Sequence, residues 1–195
     1  MALPAVPQSQ LELRAIDWTG LPARFMNPGE LEVLCALVRS VSPQVVVEFG
    51  INSGRTAKAI LREVDGITRY IGIDVPPGYV TEKKVQRGEV PAIAGELVRD
   101  DPRVELLVRA RGSHDLTADD LPPCDAVFID GDHSRAGVEQ DTALAMARVR
   151  PGGIIIWHDY HALGTVDVRE VLDDYHAAGA PISLVAGTWL AFRRL

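Results

Sequence analysis

Acids and glycines near the start of the chain stand at spacings that suit a nucleotide-like ligand. Glu48, Gly50 and Gly54 follow the apolar run Val45–Val47 in the order Glu-x-Gly-x-x-x-Gly, and a helix is predicted from Arg55. Glycines permit tight turns and a close approach of backbone to ligand. The order differs from the Gly-x-Gly-x-x-Gly of dinucleotide sites. An acid where a pyrophosphate would lie close favours a positively charged ligand, and S-adenosylmethionine (SAM) is one.

A second acid, Asp74, lies 24 positions after Gly50 (74 − 50 = 24). Nucleotide-binding folds place an acid roughly 20 residues beyond the glycine turn, against the ribose hydroxyls. We therefore expect Asp74 to bind a ribose diol, although an Asp at a strand end can also cap the next turn. Asn52 and Ser53, inside the turn, are expected to contact the same ligand.

A third group of residues could hold a metal ion. Asp130 and the pair His158–Asp159 end the fourth and fifth predicted strands, which are adjacent in the expected sheet, so their side chains can converge. Two carboxylates with substrate oxygens and water would suffice for Mg²⁺. Imidazole at His158 suits Mn²⁺, Fe²⁺ or Zn²⁺ better. The alternative is that Asp159 caps a turn and His158 packs at the strand end.

Short apolar runs alternate with helical patterns along the chain, which predicts the elements that position these residues. The predicted parallel strands are Val45–Glu48, Tyr70–Ile73, Val104–Val108, Ala126–Ile129 and Ile154–Trp157. The predicted helices between them are Arg55–Glu63, Ala92–Val98, Ala136–Val149 and Val166–His176. Ile182–Val185 and Trp189–Phe192 should form an antiparallel hairpin. The predicted fold class is α/β, a Rossmann-like three-layer sandwich whose seven-stranded sheet is mostly parallel with a C-terminal antiparallel hairpin.

The first helix of the predicted α/β domain is predicted to start at Asn27, with Pro28 in its first turn and Glu30 closing a capping box. This divides the chain into an N-terminal arm, residues 1–26, and one domain, residues 27–195.

Composition and charge limit the classes of partner and the cellular location that we expect. A net charge of -7 over 195 residues argues against nucleic acid or an anionic membrane as partner. No apolar run is long enough to span a bilayer, and the start does not read as a signal peptide. Cys35 and Cys124 lie in apolar patterns and are expected to be reduced, so a cytoplasmic location is expected. Oligomeric state is left open, with a homo-oligomer compatible with the sequence.

Several motifs resemble those of class I SAM-dependent methyltransferases, and more narrowly the metal-dependent O-methyltransferases of the catechol and macrolide-sugar types. The resemblance runs from about Asn27 to the C-terminus. The motifs are Glu48-Phe49-Gly50-x-x-x-Gly54, Asp74, Phe128-Ile129-Asp130-Gly131-Asp132-His133 and Pro151-Gly152-Gly153-Ile154-Ile155-Ile156-Trp157-His158-Asp159.

The resemblance implies roles for individual residues. Asp130 and Asp159 match metal ligands, while His158 stands where relatives usually carry an acid. His133 matches a general base, although it could instead cap the next helix. Ser113 and His114 match the turn that packs against the adenine. The implied cofactors are SAM and a divalent cation, Mg²⁺ or Mn²⁺.

The expected activity is transfer of a methyl group to a hydroxyl of a small molecule such as a sugar, polyketide or catechol. Trp18, Phe25 and Met26, and the loop Val75–Pro91, are candidates to line the acceptor pocket. Three alternatives stay open: a metal-independent SAM methyltransferase, a dinucleotide-dependent dehydrogenase, and a SAM-binding module without catalysis.

Overall fold

The computed structural model describes residues 2–22, 26–83 and 90–195. Its strands are β1 (Ala5–Val6), β2 (Val45–Phe49), β3 (Arg69–Asp74), β4 (Val104–Val108), β5 (Cys124–Ile129), β6 (Val149–Trp157), β7 (Ser183–Val185) and β8 (Ala191–Arg194). Its α-helices are α1 (Glu30–Arg39), α2 (Arg55–Glu63), α3 (Arg135–Arg148) and α4 (Val168–Ala177). Strands and helices follow one another in the predicted order, except that the described residues between β3 and β4 form no α-helix.

These strands form one sheet in the order β1-β7-β8-β6-β5-β2-β3-β4. Strand β8 runs antiparallel to its neighbours β6 and β7, and the other pairs are parallel. The predicted fold class is therefore confirmed, but the described sheet has eight strands where seven were predicted. The additional strand is β1, whose Ala5 and Val6 lie opposite Leu184 and Val185 of β7.

Alternate strand residues face opposite sides of the sheet, and each side has its own apolar core. Val46 packs with helices α1 and α2 in one core, while its neighbour Val47 packs with α3 and α4 in the other. The same division separates Phe128 from Ile129 on β5. Burial on both faces explains why the central strands read as unbroken apolar runs.

Two helix predictions were wrong. Helix α1 begins at Glu30, with Gly29 as its N-cap in the left-handed region at φ 86°, so Asn27 is not the cap. The Glu30 carboxylate does accept the Asn27 backbone N–H, at 2.8 Å. The segment predicted as helix Ala92–Val98 is a series of turns, because Gly95 at φ 65° interrupts any helix.

Strand β6 begins five residues earlier than predicted, directly after α3. Val149 pairs with Cys124, and the register then shifts before Ile154 pairs with Ala126. Gly152, at φ 84°, lies within this irregular part of the strand. Across the part of the chain that the structure describes, helices are too short or too polar to cross a bilayer.

Candidate active site

The glycine turn locks three strand ends together. Gly50 adopts φ 81°, and its N–H donates to the Ile73 carbonyl at the end of β3. On the other side, the Asp130 N–H donates to the Phe49 carbonyl at 2.9 Å. A Cβ at Gly50 would lie 2.1 Å from the Asp130 carbonyl oxygen. Only glycine therefore allows the end of β2 to meet the end of β5 at this distance.

Asp74 is held by the backbone of the same turn. Its two carboxylate oxygens accept the N–H groups of Asn52, at 2.6 Å, and Val75, at 2.7 Å. Burial raises the pKa of Asp74 to about 6, although these two hydrogen bonds oppose the rise. Each oxygen keeps a further lone pair with which to accept a hydrogen bond from a ligand hydroxyl.

One cavity gathers most of the predicted site residues at the carboxyl ends of the strands. The predicted residues that line it are Gly50, Asn52, Ser53, Asp74, Ser113, His114, Asp130, His133 and Asp159. Met26 also lines it, as do Val75, Tyr79, Thr81 and Val90 from the predicted loop. Phe25 and residues 84–89 lie outside the described residues. The convergence of the predicted residues on this cavity agrees with the sequence analysis, while the binding role of each residue stays a prediction.

Three residues predicted to bind cofactor or metal, Gly54, His158 and Glu48, lie outside the cavity lining, and so does the acceptor-pocket candidate Trp18. Gly54 is the N-cap of α2 at φ 85° and packs against Val98. His158 is buried behind Asp130 and Asp159. Trp18, proposed for the acceptor pocket, is 44% exposed and lies under the Arg55 guanidinium instead.

Glu48 is the third, and its position overturns the argument made for its charge. It is 1% exposed, and its carboxyl accepts the Tyr70 hydroxyl at 2.8 Å within the core. Burial raises the pKa of Glu48 well above its usual value, with smaller contributions from Asp130 and Asp74. Because Glu48 does not line the cavity, the acids that can face a cationic ligand are those on the cavity wall.

Asp141 is a cavity residue that the sequence analysis did not identify. It lies on α3, is fully buried, and its Oδ1 has no hydrogen-bond partner. Burial raises its pKa to about 7, and a hydrogen bond from Ser113 opposes the rise. The signal was present in the sequence, because Asp141 falls on the helix stripe of Val138 and Ala145, both buried. An acid in such a stripe is rare without a function.

The turn of Ser113 and His114 is held by α3, and we call it the adenine-side turn because it is predicted to border the adenine. Gln140 Nε2 donates to the Ser113 carbonyl at 3.1 Å. His114 Nε2 lies 3.9 Å from Asp132 Oδ2 across the cavity. Ser113 and His114 thus reach the cavity on a turn whose backbone the neighbouring helix fixes in place.

Asp130, His133 and Asp159 form a compact cluster on the wall of the same cavity. His133 Nε2 lies 2.9 Å from Asp159 Oδ2 and 3.5 Å from Asp130 Oδ1. Burial lowers the pKa of His133, but the carboxylates of Asp130 and Asp159 beside the ring outweigh burial and raise it to about 10. Burial raises the pKa of Asp159, but both histidines outweigh it and hold that pKa well below its usual value.

Asp159 has a backbone conformation that few non-glycine residues adopt. Its φ is 60°, in the left-handed region. Such strain persists only where surrounding structure enforces it and often marks functional sites. Here it turns the carboxylate at the end of β6 toward His133.

The cluster fits a divalent cation. Asp130, His133 and Asp159 each offer a ligand atom, and these atoms lie within 4.8 Å of one another. His133 Nε2 and His158 Nδ1 are buried and make no hydrogen bond. Buried polar atoms without partners are uncommon and call for an explanation such as an ion. Carboxylate and imidazole donors together suit Mn²⁺, Fe²⁺ or Zn²⁺.

Comparison with known proteins defines the class. Residues 47–160 match the family described as a methyltransferase domain, and this span includes the glycine turn, Asp74 and the Asp130 cluster. The chain belongs to this family and is a SAM-dependent methyltransferase. Among curated proteins, none matches the sequence.

Solved structures with the same fold include several with the cofactor bound. Cofactor-bound Rv0187 from MTB is 19% identical, with a TM-score of 0.62, over 89% of this chain and 82% of that one. The O-methyltransferase TomG from Streptomyces achromogenes, involved in tomaymycin synthesis and solved with SAM, is 16% identical, with a TM-score of 0.61, over 94% and 91%. The Bacillus cereus O-methyltransferase in complex with SAH is 20% identical, with a TM-score of 0.54, over 89% and 83%.

Proposed function

We propose that this methyltransferase transfers the SAM methyl group to a hydroxyl oxygen of a small molecule, with the help of a divalent cation. The observation that carries the proposal is the common cavity, whose wall includes Asp74, the glycine turn, Asp130, His133 and Asp159. A donor with a ribose and an acceptor with a hydroxyl can therefore lie side by side.

The donor end supplies binding and orientation. Asp74 accepts hydrogen bonds from the ribose diol, and the turn of Gly50, Asn52 and Ser53 brings the backbone against the ligand. Ser113 and His114 border the adenine. The carboxylates on the cavity wall favour the sulfonium charge, whereas Glu48 is buried below the turn and does not reach the ligand.

The acceptor end supplies deprotonation. The acceptor hydroxyl gives its proton to His133 Nε2, and its oxygen attacks the methyl carbon as the carbon–sulfur bond breaks in line. The products are a methyl ether, SAH and a protonated His133. Most of the acceleration comes from holding the two reactants in line.

His133 can act as a base at neutral pH only if the charge of its two carboxylate neighbours is balanced. With Asp130 and Asp159 ionised beside it, the ring has a pKa of about 10 and holds its proton. A bound divalent cation would offset that charge and would also lower the pKa of the acceptor hydroxyl. The base role of His133 and metal binding therefore belong together.

Relatives of the same fold support the choice of oxygen as acceptor. The proteins from Streptomyces achromogenes and Bacillus cereus are named O-methyltransferases. We extend that acceptor type to this chain because its cluster pairs a histidine with two carboxylates, an arrangement suited to removing a hydroxyl proton.

Metal-independent methylation is the second candidate. Burial lowers the pKa of His158, but Asp130, Asp159 and Glu30 outweigh burial and raise it well above its usual value. A protonated His158 would place a positive charge beside the two carboxylates without any metal.

Chelation distinguishes these candidates. We expect release of SAH with a panel of catechol and sugar acceptors to fall at least about tenfold in EDTA and to return on addition of Mn²⁺ or Mg²⁺. His133→Gln should lose turnover while calorimetry shows SAM binding within about twofold of wild type. Turnover that EDTA leaves intact would support metal-independent methylation. SAM binding without turnover of any acceptor would support a binding module.

A further inference from the structure

Glu30 and His158 form a buried pair directly behind the acidic cluster, although 128 positions separate them in the chain. We propose that Glu30 positions His158 as a nitrogen ligand, so that the site takes a first-row transition ion such as Mn²⁺ in preference to Mg²⁺. This inference rests on the metal-assisted function proposed above.

Glu30 is fixed from several sides. It is fully buried, and its Oε1 accepts the Trp189 backbone N–H at 2.6 Å and the Asn27 side-chain amide at 3.0 Å. Its Oε2 accepts the Asn27 backbone N–H at 2.8 Å and lies 3.1 Å from His158 Nε2. The start of α1 and the β7–β8 connection therefore both hold this carboxylate in place.

This contact sets the orientation of the His158 ring. A carboxylate offers only acceptors, so Nε2 carries the hydrogen and donates it to Glu30. In the neutral ring Nδ1 then keeps its lone pair. Phe128 meets the ring edge-on, with centroids 6.4 Å apart, so the ring is packed as well as hydrogen-bonded.

Nδ1 faces the cluster. It lies 3.4 Å from Asp130 Oδ1 and 3.4 Å from Asp159 Oδ1, is buried, and makes no hydrogen bond. Two ligands at about 2.1 Å from one ion, at 90° to 110°, lie about 3.0 to 3.4 Å apart. The distances from His158 Nδ1 to the two carboxylates, 3.4 Å each, fall at the upper end of that range.

The resulting donor set has two carboxylates and the His158 imidazole, and His133 Nε2 keeps its lone pair for the acceptor proton. Mg²⁺ prefers oxygen ligands and keeps several waters, whereas imidazole suits Mn²⁺, Fe²⁺ and Zn²⁺. A carboxylate behind a ligating histidine orients the ring and raises its basicity, and loss of such a partner typically weakens metal binding about 10- to 100-fold. Glu30 has this relation to His158.

The test measures metal affinity of the full chain directly. Mn²⁺ binding is followed by the electron paramagnetic resonance of free Mn²⁺, and Mg²⁺ binding by competition with Mn²⁺. We expect wild type to bind Mn²⁺ at least about 100-fold more tightly than Mg²⁺. This measurement requires no variant.

Two variants test the positions separately. His158→Gln keeps an N–H that can reach Glu30 but removes the Nδ1 donor, and Glu30→Gln removes the carboxylate. Each should weaken Mn²⁺ binding at least about tenfold and change Mg²⁺ binding less than about twofold. Glu32→Gln, the same change two residues further along α1 and outside the cluster, should alter neither. Calorimetry with SAM shows that each variant is folded.

The outcomes separate this inference from the proposed function. If wild type binds Mg²⁺ as tightly as Mn²⁺, or if both variants keep wild-type Mn²⁺ affinity, the inference is overturned while metal-assisted catalysis stands. If wild type binds neither ion, both are overturned, and His158 acts as the positive charge of a metal-independent site.

Discussion

Burial decides what each acid of this site can do. Glu48 is buried with Tyr70 and has a strongly raised pKa, so the most prominent acid of the glycine motif is a core residue. Asp74, at the end of the next strand, keeps contact with the cavity and has a pKa of about 6. Two acids from the same motif region therefore differ in their access to a ligand, because Asp74 has backbone N–H donors and a cavity wall and Glu48 does not.

The titration of Asp74 leads to a prediction about SAM binding. The ionised carboxylate is the better acceptor for a ribose diol, so affinity should be full above pH 7 and lost as the pH falls through 6. Between pH 7 and pH 5, calorimetry should show about a tenfold loss in wild type. Asp74→Asn should bind SAM about 10- to 100-fold more weakly at pH 7.

The same variant serves as the control for the pH effect. Asp141, with a pKa of about 7, lines the same cavity and titrates in both proteins, so the difference between the two profiles isolates Asp74. A variant profile as steep as that of wild type between pH 5 and 7 would mean that Asp74 is not the group responsible.

At the scale of elements, the site depends on how closely the ends of β2 and β5 approach. Gly50 meets the backbone of Asp130 and Gly131, and the Asp130 N–H donates to Phe49. The turn predicted to contact the cofactor and the strand end that carries Asp130 are thus one packed unit. A substitution in the glycine turn should therefore disturb the end of β5, and a substitution at the end of β5 should disturb the turn.

Gly50→Ala tests this unit. The left-handed backbone alone should cost about 1–2 kcal/mol, and the overlap with the Asp130 carbonyl about 2 kcal/mol more. Gly152→Ala is the matched control, since Gly152 has φ 84° and nothing within 4 Å of its added Cβ. Urea unfolding should show a larger loss of unfolding free energy for Gly50→Ala, together with loss of SAM binding. Equal losses of unfolding free energy for the two variants would contradict the close packing of Gly50 against Asp130.

At the scale of the whole molecule, the edge of the sheet that holds the N-terminal arm lies away from the strands that carry the candidate site. The site lies at the carboxyl ends of β3, β2, β5 and β6, whereas β1 is at one edge, beyond β7 and β8. The arm reaches that edge through two backbone hydrogen bonds of 2.9 Å, from Leu184 to Pro4 and from Ala186 to Val6. Leu3 is buried beside it in the core of α3 and α4.

Deletion of residues 2–7 should therefore weaken the fold without touching the site. The loss of the backbone hydrogen bonds to β7, of the hydrogen bond between the Leu3 backbone and Tyr160, and of one buried leucine should lower the free energy of unfolding by about 2–4 kcal/mol. The SAM dissociation constant from calorimetry should stay within about twofold of wild type. A tenfold or larger loss of SAM affinity in a folded variant would instead make the first residues part of the site.

Local patterns in the sequence determined much of this protein. Apolar runs separated by helical stripes specify buried parallel strands, because burial on both faces demands continuous apolar residues. The order of these elements, the glycine turn and the distance to Asp74 place the cofactor end of the cavity. Asp130 and Asp159 follow neighbouring strands, so their convergence was also predictable from chain order.

Only the tertiary structure decided which way individual side chains face and which distant residues meet them. Glu48 points into the core, and no local pattern reveals this burial, which raises its pKa. The contact between Glu30 and His158 joins a helix start to a strand end 128 positions away, and Asp141 borders the cavity because α3 packs under the adenine-side turn. Such pairings depend on packing between elements, which the sequence specifies only through the complete fold.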